Sequence, residues 1–135
     1  MAITEKREIG NIGENLACKF LKKEGLKIVE RNYWKKWGEI DIIAENKKNK
    51  KLHFVEVKTV SCGNIREGIT AKIENYKVDD NIHPWKLKRL ARVFQTYLLD
   101  KKISEKVEWQ FDIIIVFLDR KDKISRIKYL KDIII

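Results

Sequence analysis

The sequence predicts one α/β domain: a mixed sheet flanked by helices, in the order helix, three strands, helix, strand, with a further strand at the C-terminal end. Three observations carry this. Apolar residues recur at helical spacing over residues 9–21 and 87–98, strand-like runs occupy residues 26–31, 39–44 and 52–59, and Ile113 to Leu118 is unbroken hydrocarbon. With 135 residues, 44% of them hydrophobic, the chain suffices for one core that buries roughly two-thirds of its unfolded surface. Residues 1–135 are read as that single domain.

In the first element Ile9, Ile12, Leu16, Phe20 and Leu21 form one stripe, and Gly25 offers a left-handed stop after Glu24. Glu14 lies at the margin of the stripe, about 20° from Leu21 on a helical wheel, so a helix packed on the sheet aims it at the strands. Asn11-Ile12-Gly13-Glu14 also reads as a variant capping box, and both roles stay open. Cys18 reads as a small packing residue. Residues 26–31 alternate as a first strand. Tyr33-Trp34-Lys35-Lys36-Trp37 then fills the connection to the second strand; its rings can stack on bases while Lys35 and Lys36 hold phosphate, or can close the edge of the core.

The second and third strands are joined by Asn46-Lys47-Lys48-Asn49-Lys50-Lys51, a polar turn segment that makes them an antiparallel hairpin. In the third strand, alternation puts Leu52, Phe54, Glu56 and Lys58 on one face and His53, Val55, Val57 and Thr59 on the other. Glu56 and Lys58 are then about 7 Å apart along the strand. A turn centred between Lys48 and Asn49 sets Asp41 directly opposite Glu56 on a shared face. Like charges in that position repel, and a buried unpaired carboxylate costs more. Taken singly, Glu56 and Lys58 read as a surface ion pair and Asp41 as a solvated edge residue. Taken together, they favour a hard divalent cation, Mg²⁺ or Mn²⁺, which takes oxygen ligands from one or two carboxylates and fills its sphere with water and phosphate.

A long polar stretch from residue 61 to 83 follows, read as an excursion beside the site. His83 reads as a loop or cap residue, and Pro84 suits the first turn of a helix with Leu87, Leu90, Ala91, Phe94 and Leu98 on one face. Lys86, Lys88, Arg89 and Arg92 crowd its start and outer side, where they are placed to grip a phosphate backbone. Residues 107–118 read as a strand buried on both faces and parallel to the Glu56 strand after a right-handed crossover. Asp112 is assigned a structural role there. Residues 120–123 turn into a last strand, 125–135.

The net charge of +10 and the pI near 9.6 point to a polyanionic partner, with nucleic acid ahead of a membrane surface. No apolar run approaches the roughly 20 residues of a membrane span, and the N-terminal residues lack the apolar stretch of a signal peptide. Cys18 and Cys62 do not make a disulfide framework or a zinc spacing, so a reducing, cytoplasmic setting is expected.

Aspartate, a gap, then Glu-x-Lys on the next strand resembles the PD-(D/E)xK nuclease superfamily. The succession Gly13-Glu14, Arg31-Asn32, Gly38-Glu39-Ile40-Asp41-Ile42-Ile43, Phe54-Val55-Glu56-Val57-Lys58-Thr59 and Phe111-Asp112 is similar to the YraN-like family of predicted endonucleases, over residues 9–118. The resemblance implies a restriction-endonuclease-like fold and a metal-dependent endonuclease. Its metal would be held by Asp41 and Glu56, with the Val57 carbonyl and Glu14 completing the site and Lys58 acting in catalysis. Archaeal Holliday-junction resolvases share the order of acids and act as dimers, so a resolvase-type homodimer stands as the enzymatic alternative. A nucleic-acid-binding module without turnover is the non-enzymatic one.

Overall fold

The computed structural model describes residues 4–63, 65, 73, 75 and 83–135. Its elements are α1 (Glu5–Lys23), β1 (Leu26–Lys35), β2 (Gly38–Asn46), β3 (Leu52–Ser61), α2 (Pro84–Asp100), β4 (Trp109–Asp119) and β5 (Ile124–Leu130). The five strands form one sheet in the order β1-β2-β3-β4-β5. The first three make an antiparallel meander, β4 lies parallel to β3, and β5 returns antiparallel to β4. This is the mixed α/β architecture expected, and it is compatible with a restriction-endonuclease-like core carrying an extra C-terminal strand.

Each helix closes one face of the sheet. Ala17, Cys18 and Leu21 of α1 pack with Ile42, Ala44, Val55, Ile114 and Val116. Burial pushes the Cys18 thiol up, which suits its packing role. On the other face Leu90, Val93, Phe94 and Tyr97 of α2 pack with Ile43, Phe54, Phe111 and Ile115. The Phe54 and Phe94 rings stack there at 4.6 Å. β4 is buried from Phe111 to Asp119 because it is covered from both sides.

Three boundaries and one helix face differ from the sequence reading. α1 begins at Glu5, where the Thr4 hydroxyl caps it by accepting the Arg7 N–H at 3.2 Å. Asn11 to Glu14 therefore lie inside the helix and form no capping box. β1 runs on through Tyr33, Trp34 and Lys35, so the connection shrinks to a tight turn. Val93 and Tyr97 take the centre of the α2 core face, while Ala91 is only half-buried, a rotation about the helix axis that the Leu/Phe spacing alone did not fix. β5 ends at Leu130: Asp132 takes a left-handed φ of 54°, and the Asp132 and Ile133 N–H groups donate to Asp112 Oδ1 and the Phe111 carbonyl instead of extending the ladder. The polar excursion expected at 61–83 lies for the most part outside the described residues.

Two local features place the site. The antiparallel ladder between β2 and β3 runs from Glu45↔Leu52 to Ile42↔Val55 and stops there. Just past its end the Val57 N–H donates to Asp41 Oδ2 at 2.8 Å, so a side chain replaces the backbone rung and the two strands fork. The second feature is Asn32, whose φ of 54° is left-handed. It sits between the register pairs Arg31↔Ile42 and Tyr33↔Ile40. Residues two apart on a strand should share a face, yet Ile42 packs under α1 and Ile40 under α2. Both strands thus change faces at Asn32 and Asp41.

The approach of α1 to β3 depends on Gly13. A Cβ there would collide with Thr59 Oγ1 and lie 2.9 Å from Thr59 Cβ, closer than real side chains allow. Gly13→Ala gains about 1 kcal/mol of helix propensity but must push α1 off β3, an overpacking cost of about 1–3 kcal/mol. The expected outcome is a net loss of stability in urea titration, despite a substitution that normally strengthens a helix.

Candidate active site

Asp41 stands at the fork, and its position between faces lets it line two cavities. One, of about 710 Å³ on the α1 side, is bordered by Glu14, Asn32, Glu39, Asp41, Val57 and Thr59, among others. The second, of about 290 Å³ on the α2 side, is bordered by Glu39, Asp41, Glu56, Trp85, Lys86 and Arg89, among others. Glu56 extends the β2–β3 register beyond the last hydrogen-bonded pair, as the turn-centred count requires. Lys58, half-buried, stands opposite Ile115 of β4.

The electrostatics are those of crowded acids. Burial, then the charge of Glu56, then Glu39 and Glu14 raise Asp41; the Val57 N–H bond opposes them, and the net effect is a carboxyl pushed up to about 8. Burial, Glu14 and Glu56 likewise push Glu39 upward. Two ion pairs relieve the cluster, and the charge of Arg7 also opposes the rise of Glu39. Lys86 Nζ lies 3.0 Å from Glu56 Oε1, and Arg31 Nε lies 3.0 Å from Glu14 Oε1 while its Nη2 donates to Asn15 Oδ1 at 2.9 Å. Among the described residues no three His, Cys, Asp or Glu side chains converge into a ready-made ion cage.

The structure brings Asp41, Glu56 and Val57 together at the fork and sets Glu14 across the α1-side cavity from Asp41. The basic residues divide. Lys86 is turned inward onto Glu56. Arg89 donates to the Trp37 carbonyl at 3.2 Å, and Arg92 lies 4.5 Å from the centre of the Trp37 ring. Lys36 and Lys88 are exposed, and Lys35 lies 4.0 Å from Asp100. Of the aromatic run, Tyr33 is buried and donates to Asp100, Trp37 donates to Thr96 Oγ1, and Trp34 is left exposed. Asp112 has the structural role assigned to it, accepting hydrogen bonds inside the core.

Glu39 and Trp85 escaped the sequence reading. Glu39 was recoverable in part, since it lies two residues before Asp41 in a strand rich in acids. Trp85 was not, because its place beside Glu56 depends on how α2 crosses the sheet.

A family model matches residues 13–116, a span that contains Glu14, Asp41, Glu56, Lys58 and the basic helix, and its description is uncharacterised protein family UPF0102. The chain belongs to this family. The UPF0102 family is the YraN-like group, in agreement with the motif succession. A UPF0102 protein of Caldicellulosiruptor bescii is 36% identical over 126 residues, covering 93% of this chain and 96% of its own length. A UPF0102 protein of Campylobacter jejuni subsp. doylei is 38% identical over 107 residues, covering 79% and 81%. Another, of Caldicellulosiruptor saccharolyticus, is 35% identical over 130 residues, covering 94% and 97%. No helix among the described residues of this UPF0102 chain is long and apolar enough to cross a membrane.

Proposed function

We propose that this chain is a metal-dependent nuclease that hydrolyses phosphodiester bonds in nucleic acid, DNA ahead of RNA. The observation that carries the reading is the placement of Asp41 against Glu56 at the forked strands, where burial and mutual repulsion raise Asp41, with Lys58 on the Glu56 face. A fold that keeps two repelling carboxylates at the end of a ladder spends stability that a divalent cation would restore.

The donor set fits Mg²⁺ or Mn²⁺. It is all oxygen, and such ions need only one or two carboxylates when water and substrate phosphates supply the rest. Asp41 and Glu56 would hold the ion, with the Val57 carbonyl and Glu14 as further oxygen donors. A metal bound there supplies an acidified water and a polarised phosphate. Lys58 orients the attacking water or stabilises charge developing on the phosphate oxygens. Lys86, already within reach of Glu56, meets an incoming phosphate beside the carboxylates, and Lys35, Lys36, Lys88, Arg89 and Arg92 hold the backbone beyond it.

The test is incubation with linear, flapped, four-way-branched and single-stranded DNA and with RNA, each with Mg²⁺ or Mn²⁺. Cleavage of at least one substrate, stopped by EDTA, is expected. Paired symmetric nicks on the four-way branch would favour the resolvase-type dimer. Intact substrates throughout would leave a binding module in place of a nuclease.

Lys58→Met separates chemistry from metal binding. Both carboxylates remain, so Mn²⁺ should still raise the melting temperature by mass action, whereas single-turnover hydrolysis should fall by about 10² or more. Loss of the thermal shift with cleavage preserved would make Lys58 a structural residue.

A further inference from the structure

The α2-side cavity carries one feature that phosphodiester hydrolysis does not require. Trp85 sits in the first turn of α2 and is 57% exposed, although it belongs to the largest apolar side-chain type. It is held rather than loose. The Arg89 guanidinium lies 5.6 Å from the centre of its ring, one helical turn on, and the His83 ring stacks nearly parallel to it, with centroids 6.2 Å apart and planes at 8°. Arg89 is in turn fixed by the Trp37 carbonyl at 3.2 Å. The indole, Lys86 and Arg89 border the same cavity of about 290 Å³ as Asp41 and Glu56. That volume lies just below the range of small-ligand pockets, which run from about 300 Å³ upward, and leaves room for no more than one nucleotide.

We propose that Trp85, braced by Arg89 and His83, is a stacking platform for one unpaired nucleobase beside the scissile phosphate. The preferred substrate is then single-stranded nucleic acid, or a branch with a single-stranded arm, rather than continuous duplex. Three physical points select this occupant. Lys86 and Arg89 flank Trp85 at the rim of a cavity whose inner wall carries Glu39, Asp41 and Glu56, so an anionic chain has cations to meet only on the Trp85 side. More than half of the Trp85 surface beside those cations stays exposed with Arg89 and His83 in place, and a planar ring suits the π-face common to all bases. In a duplex that face is covered by the neighbouring pair and is exposed only when the nucleotide leaves the stack. Trp34, also exposed, borders neither cavity and pairs with Glu39 on the edge strand, so the inference concerns Trp85 alone.

This rests on the nuclease reading for the location of the phosphate but is tested without turnover. Fluorescence anisotropy in EDTA would compare a labelled single-stranded oligonucleotide and a blunt duplex of the same length, with the parent protein, Trp85→Ala, Trp85→Phe and Trp34→Ala. Trp85→Ala is expected to weaken single-strand binding by about ten- to a hundredfold, the range for loss of one base–aromatic stack, and to change duplex binding less than twofold. Trp85→Phe should recover most of the loss, and Trp34→Ala should behave as the parent. An equal loss on both substrates, no loss on either, or an equal loss from Trp34→Ala would overturn the platform. Should the parent cut nothing with any metal while Trp85→Ala still loses single-strand binding selectively, the nuclease reading fails and the platform stands as a binding site.

Discussion

Replacing Asp41 with Asn is expected to abolish metal-dependent cleavage and, without metal, to stabilise the protein. Asparagine keeps an oxygen that can accept the Val57 N–H, now at 2.8 Å from Asp41 Oδ2, but removes the charge that burial and Glu56 oppose. The pH dependence has a definite sign. The Asp41 carboxyl is raised from an ordinary value of 3.8 to about 8, so between those values the native chain holds a proton that the unfolded chain has released. Stability of the parent therefore falls as pH rises through that window. Asp41→Asn lacks this slope and should be the more stable protein by on the order of 1–3 kcal/mol near pH 8.5, with the difference vanishing toward pH 4. Glu56→Gln should also lose cleavage, and a smaller gain is expected because Lys86 already offsets part of the Glu56 charge. Urea midpoints in EDTA at several pH values, with single-turnover assays in Mn²⁺, check both halves. Variants that cut at the parent rate would refute the assignment of these carboxylates.

The sequence made this pair legible for a simple reason. A hairpin with a symmetric polar turn fixes its register by counting. In the structure Asn46 Oδ1 accepts the Lys48 and Asn49 N–H groups, and the last ladder pair, Ile42↔Val55, has the predicted sum of positions. Faces along β3 were equally legible because period-two alternation holds there. In β1 and β2 the alternation breaks at Asn32 and Asp41, and a left-handed asparagine cannot be told from an ordinary one in a single sequence. The reach of Asp41 to both sides of the sheet was therefore hidden. So were Trp85 and the inward turn of Lys86, which depend on the packing angle of α2. The C-terminal limit of β5 was hidden as well, because Asp112 competes for backbone donors that a strand would otherwise pair.

Asp112→Ala is expected to cost about 3–5 kcal/mol, the scale of removing one partner from a buried charged network. Asp112 is fully buried and accepts from His53 Nδ1 at 2.7 Å, Tyr129 Oη at 2.6 Å, Gln110 Nε2 at 2.6 Å and the Asp132 N–H at 2.9 Å. Burial alone would raise its carboxyl; the hydrogen bonds, led by His53, outweigh this and hold it below the usual value. Truncation leaves donors from two neighbouring strands and the tail without an acceptor. Denaturation in urea reads the total, and hydrogen exchange at Asp132 and Ile133 should show the tail released before the sheet opens. A loss under about 1 kcal/mol would mean that water replaces the carboxylate and that the network holds little of the fold together.

The irregularities of β1 also bear on self-association. This strand is an outer edge of the sheet, and an exposed edge invites a second chain to add on through its free N–H and C=O groups. Here the register slips after Ile28, Asn32 turns left-handed, and Lys27, Arg31 and Lys35 punctuate the run. No straight stretch of matching donors and acceptors survives for another strand to copy, and the lysines would meet their own kind. A sheet continued across two copies is thereby discouraged at β1.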